Sequence, residues 1–251
     1  MLAPLGQREV RLALGEYGNA NGESLPIQLR LGTGLKGTSN QALACLSGFG
    51  HLISVPWEDL PYPPVFENIA FRGLGSPTGV ALRYVNSVGL TVYGHFEVRG
   101  CTFENFDEGI HASGARVVDS VFTQVNTAVN LNAFPVLLDV DACTFQDCTR
   151  GIEFRSDAGL SQISVKDCRF VGGTFGMFSF LSYTSDANVE VSRSRFEGLE
   201  CALYSQVLFA PNGNSIDTVI SNSIFTGNAA VMETGVIILS LIHISEPTRP
   251  Y

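Results

Sequence analysis

Val140-Asp141-Ala142-Cys143-Thr144-Phe145-Gln146-Asp147-Cys148-Thr149-Arg150-Gly151-Ile152 is the stretch that decides the fold, because it recurs in altered form between Val98 and Met232. Aligned on its phenylalanine, it gives Phe103, Phe122, Phe145, Phe170, Phe196 and Phe225. Five residues earlier stand Val98, Val117, Val140, Val165, Val191 and Ile220, and two residues earlier Cys101, Ser120, Cys143, Cys168, Ser194 and Ser223. Six residues later come Gly109, Ala128, Gly151, Gly176, Ala202 and the exception Val231; seven later, Ile110, Val129, Ile152, Met177, Leu203 and Met232. The phenylalanines are separated by 19, 23, 25, 26 and 29 residues, by subtraction of their numbers. A constant motif with variable gaps describes a constant cross-section carrying loops of different length, which is how a solenoid is encoded.

Each copy holds two strand segments, one running through the phenylalanine and one starting at the small residue, as in Gly151-Ile152-Glu153-Phe154-Arg155. Successive copies are expected to stack in parallel and in register, with phenylalanines in one internal column and Ile110 to Met232 in another. The small residue is expected to permit a tight bend. Phe66 to Gly73 reads as a degenerate first copy, and the 32 residues from Phe71 to Phe103 leave room for a looped coil or a diverged one. Before it, Val10 to Tyr17 and Leu25 to Leu31 alternate as strands do, with a short strand near Leu35. Trp57, the only tryptophan, reads as core or loop packing. The expected layout is an N-terminal group of coils over 1–64, regular repeats over 65–235, and a tail over 236–251.

Composition narrows the function. Lys and Arg number 15 against 24 Asp and Glu, a net charge of −9, so the chain is a poor candidate for nucleic acid, whose phosphates need a basic face, and no nucleic-acid partner is expected. The apolar run from Gly235 to Ile244 is too short to span a bilayer. The six cysteines show no CxxC spacing. Cys101, Cys143 and Cys168 share their column with serines, which favours packing; a disulfide between Cys143 and Cys168 stays open, since neighbouring coils lie about 4.8 Å apart.

Val10-Arg11-Leu12-Ala13-Leu14-Gly15-Glu16-Tyr17, followed by Gly22-Glu23-Ser24-Leu25-Pro26-Ile27-Gln28-Leu29-Arg30-Leu31-Gly32-Thr33-Gly34-Leu35-Lys36-Gly37, resembles the opening of bacterial pectate-lyase-like proteins. The likeness is to the domain of unknown function that often heads them. The later V-x-x-[CS]-x-F and G-I-x-[FL] pattern resembles the repeats of the same superfamily. The resemblance implies an all-β, single-stranded, right-handed parallel β-helix; the usual preceding segment is missing from Met1 to Glu9, so truncation at both ends and loss of a signal peptide are expected. It also implies an extracellular or cell-surface location. Leu239 to Arg249 is similar to a translated sequencing-library adapter and is left out of the fold.

Alternation along the second strand segment turns two columns outward. One reads His111, Asn130, Glu153, Phe178, Tyr204; the other includes Asn132, Arg155 and Phe180. Amides, a carboxylate and an arginine suit sugar hydroxyls, and rings suit apolar sugar faces. In the superfamily this sheet resembles the one lining the substrate cleft. The strip is therefore either an ordinary solvated face or a groove for polysaccharide or surface glycan. No catalytic residue is assigned: the hydrolase motifs N-T-D, D-D and G-H-G are absent. Asp139 and Asp141 make one acidic pair, and Asp119 and Asp167 share a column with Ala142 between them. Calcium is a conceivable ligand, without a metal site to assign, and no other cofactor is implied. The expected function is noncatalytic glycan binding or a surface scaffold; the alternative is a polysaccharide lyase, hydrolase or epimerase.

Overall fold

The computed structural model describes residues 8–18, 21–22, 27–28, 33–38, 44–48, 52–56, 63–74, 80–85, 95–133, 135–208 and 215–233. Trp57 and the whole of 236–251 lie outside them. The chain winds as an all-β parallel solenoid with three strand-bearing faces per coil. Among the described residues no helix is long and apolar enough to cross a membrane.

The three columns keep their register through the repeat, as expected, and a shift between Ser156 and Ala158 falls after the third face, outside them. On the first face Val10 pairs with Leu35, Leu35 with Phe66, Phe66 with Val98, and the column continues through Val117, Val140, Val165, Val191 and Ile220. On the second face Tyr17, Leu46, Phe71, Phe103, Phe122, Phe145, Phe170, Phe196 and Phe225 succeed one another. The third face aligns Ile53, Leu82, Ile110, Val129, Ile152, Met177, Leu203 and Met232. Phe71 pairs directly with Phe103, so the 32-residue gap holds one coil with a long excursion and no hidden extra coil.

The core is these inward columns. Phe103, Phe122, Phe145, Phe170 and Phe196 are each at most 2% exposed. From Phe71 to Phe225 their rings stack nearly parallel, with centroids 4.6 to 5.1 Å apart. Inter-coil hydrogen bonds recur along the Cys/Ser column. The Cys101 N–H donates to Ser120 Oγ, and the Cys168 N–H to Ser194 Oγ. Each hydroxyl or thiol in turn donates to the carbonyl two residues earlier, as Ser120 does to Val118 and Cys168 to Lys166. The polar group is thus satisfied inside the core, which is what burial requires. All six cysteines are free thiols. A hydrogen bond with Cys168, and then burial, push the Cys143 thiol well above its usual pKa.

Two corners turn on single left-handed residues. The first, three residues before each phenylalanine, uses Asn68, Gly100, Asp119, Ala142, Asp167, Arg193 and Asn222, all with φ of 50–57°. The second, two residues after, uses Asn105, Gln124, Asp147, Gly172, Gly198 and Gly227. Asn, Asp and Gly suit this conformation; Ala142, with φ 54°, does not. Ala142→Gly should therefore raise the unfolding free energy by about 1 kcal/mol, read as a higher urea midpoint at unchanged slope. An unchanged or lower midpoint would contradict the strain argument.

The small-residue column works differently from its expected role. Gly109, Gly151 and Gly176 are absent from the left-handed set, so they make no special bend. They make room for a ring. A Cβ on Gly151 would lie 2.7 Å from Phe170, and one on Gly176 2.7 Å from Phe196. Ring spacing follows the residue type. Beside Gly109, Gly151 and Gly176 the rings are 4.7, 4.6 and 4.6 Å apart; beside Ala128 and Ala202 they are 5.1 and 4.9 Å apart. One methyl group sets the gap between neighbouring phenylalanines. Val231 has no further ring stacked above Phe225 among the described residues, which is where a larger side chain fits.

Candidate functional site

The third face carries the polar-to-aromatic strip. Register places His111, Asn130, Glu153, Phe178, Tyr204 and Glu233 side by side on successive coils. Asn132, Arg155, Phe180 and Gln206 form the parallel column. A third outward column runs beside them: Glu108, Thr127, Arg150, Phe175, Cys201. Strict alternation back from the isoleucine would turn this column inward. It faces outward because the small residue and the isoleucine both point into the core, as with the buried pairs Gly109 and Ile110, and Gly151 and Ile152.

The columns form two clusters. In the early coils Glu108 bridges two neighbours: its Oε2 lies 2.8 Å from His111 Nδ1, and its Oε1 accepts from Asn130 Nδ2 at 2.7 Å. Asn132 is exposed and outside that bridge. In the middle coil Glu153 is only 1% exposed although it stands on the outward side. Arg150 donates to its Oε2 and Arg155 to its Oε1, both at 2.7 Å. Two guanidinium groups cover one carboxylate, which compensates the burial of its charge and leaves a local excess of one positive charge. Each arginine also lies over a ring of the next coil, Arg150 at 4.8 Å from the Phe178 centroid and Arg155 at 5.6 Å from that of Phe180.

Phe178 then stacks on Tyr204 with centroids 5.0 Å apart and planes 12° apart, while Phe175 packs against both at steeper angles. The rings of Phe175, Phe178, Phe180 and Tyr204 are half-buried, so part of each remains open to a ligand. The eight residues singled out from sequence thus lie on one face, and all but Asn132 and Tyr204 sit within the two polar clusters or directly under the arginines. Sequence reasoning missed Glu108, Arg150 and Phe175, the groups that hold the others in place; the polarity of Glu108, Thr127 and Arg150 along one column was the available signal.

The acidic residues considered for metal or catalysis lie elsewhere. Asp139 sits on the first face, 3.4 Å from Arg116. Asp119 and Asp167 occupy the first corner, and Asp167 is held by both Nε and Nη2 of Arg193 at 2.8 and 2.5 Å. That bond holds the Asp167 carboxyl below its usual pKa. Among the described residues no three His, Cys, Asp or Glu side chains converge on a point that could hold a metal ion. No family model, curated protein or solved structure matches the chain.

Proposed function

We propose that the chain is an extracellular β-helix protein of the pectate-lyase-like kind that binds glycan along its third face without turning it over. The observation that carries this is the in-register strip in which the Arg150–Glu153–Arg155 cluster adjoins the stacked rings of Phe178 and Tyr204. Polar groups fixed by their neighbours offer hydrogen bonds at little entropic cost, and half-exposed rings offer a flat apolar surface. The engaged carboxylates favour binding over catalysis. Both oxygens of Glu153 are taken up by arginine, and Asp167 by Arg193, whereas general acid–base work needs a carboxyl free to exchange a proton with substrate. The family and the location outside the cell rest on the sequence resemblance.

Electrophoresis through gels containing a panel of neutral and acidic polysaccharides tests the reading. The chain should be retarded by at least one of them, and Tyr204→Ala or Phe178→Ala should weaken retention roughly tenfold, the loss of one well-stacked ring. The same polymers incubated with the chain should yield no unsaturated or hydrolysed product. Turnover abolished by Arg155→Ala would replace this reading with a lyase; absence of retention throughout would leave a scaffold.

A further inference from the structure

The first face carries a second candidate site, of different chemistry. Its outward positions form two columns in register, Leu137, Gln162, Asn188, Asp217 and Asp139, Ser164, Glu190, Val219. Together they line a groove of about 820 Å³. On the third face most polar side chains are bonded to one another. Here the side chains of Gln162, Asn188, Glu190 and Asp217 are exposed and make no hydrogen bond or ion pair among the described residues. Ser164 adds a hydroxyl that is covered from solvent and has no partner. Among the described residues of the lining the one cation, Arg116, is already engaged by Glu97 and Asp139. Val219, 41% exposed, and half-buried Leu137 supply apolar ground at opposite ends of the columns, and among the described residues no aromatic ring lines the groove.

We infer that this groove docks an extended segment of a partner protein with lysine or arginine at alternate positions. Lys166, diagonal to Glu190 and in register with Asp141, is outnumbered by Asp141, Glu190 and Asp217, so the face keeps an acidic excess that calls for a cationic ligand. Glu190 and Asp217 stand diagonally on adjacent coils, because Asp217 pairs with Asn188 and Glu190 with Val219. Diagonal neighbours in a sheet are about 7–8 Å apart, close to the roughly 6.6 Å between alternate side chains of an extended peptide. Two basic side chains on one edge of such a segment would each meet a carboxylate. The aliphatic stem of one would lie on Val219, and the amides of Gln162 and Asn188 would meet the peptide backbone. The ring-free lining disfavours a sugar, whose apolar face would find no platform. The inference is independent of the glycan reading, since the two sites share no residue.

Fluorescence anisotropy with the full chain and a labelled Lys-Thr-Lys-Thr-Lys-Thr peptide tests it, beside the same peptide with glutamate in place of lysine. The lysine peptide should bind and the glutamate peptide should not. The double variant Glu190→Gln, Asp217→Asn should bind the lysine peptide roughly tenfold more weakly, the worth of two exposed ion pairs. The double variant Glu104→Gln, Glu197→Gln, which removes the same two charges on the second face, should leave binding within twofold. Glu190 and Asp217 are exposed and the changes isosteric, so folding is retained. The inference fails if the lysine peptide does not bind, if the Glu190→Gln, Asp217→Asn variant binds it as the parent does, or if a neutral oligosaccharide displaces it.

Discussion

Phe145→Ala is expected to remove about 3–5 kcal/mol of stability, the cost of deleting a fully buried ring. Phe145 is 2% exposed and stacks on Phe122 at 5.1 Å and on Phe170 at 4.6 Å. In a solenoid each coil touches only its neighbours, so stability is a sum of coil and interface contributions. A central ring belongs to two interfaces, and its loss weakens both. Urea unfolding followed by circular dichroism measures the effect, with Val121→Ala, 37% exposed, as a comparison that should stay within about 0.5 kcal/mol. A loss at Phe145 no larger than at Val121 would mean that the ring column does not hold the coils together.

The second large effect concerns alkaline pH. Burial pushes the Cys101 thiol from the usual 9.0 up to about 12, and the Cys148 thiol to about 11. The unfolded chain ionises its thiols as pH passes about 9 while the folded chain keeps them neutral. Their contribution is therefore fully present below pH 9 and is lost progressively as pH rises towards about 12. At pH 10.5 Cys101 alone should cost about 2 kcal/mol relative to pH 8. Cys101→Ser separates this thiol from every other group that titrates there, because serine already fills the same column at Ser120, Ser194 and Ser223. The variant should fold at pH 8 and lose about 2 kcal/mol less than the parent between pH 8 and 10.5. Equal losses in the two proteins would overturn the assignment.

The parts of the fold that were legible in the sequence are those fixed by one residue's own chemistry. A phenylalanine or isoleucine that must be buried announces its column and its register, but two strand segments per copy were expected, and the corner three residues before each phenylalanine divides the first of them into two faces. What depends on a neighbour across coils was not legible. The glycines at 109, 151 and 176 suggest a bend when read along the chain, and are clearance for the next coil's ring when seen across it. The site divides in the same way. Alternation found His111, Asn130, Glu153, Arg155, Phe178 and Tyr204 on one face, but it did not reach Arg150 and Glu108, because two consecutive residues turn inward between them and the strip. Nor does a sequence tell which polar groups are already bonded. That difference separates the engaged Glu153 from the free Glu190, and with it the two faces.

The single-residue corners have a consequence for how such a chain can change. Between Val98 and Met232 five residues separate each first-face residue from its phenylalanine, and seven separate the phenylalanine from the third-face column, so in these coils a one-residue insertion at either corner would turn the following strand inside out. All the difference between gaps of 19 and 29 residues falls at the remaining corner, between the third face and the first. That corner borders both candidate sites. New segments can be grafted there, lengthened or exchanged, beside either surface while the internal columns keep their register. Inheritance of the scaffold and diversification of what it recognises are thereby assigned to separate corners of one coil.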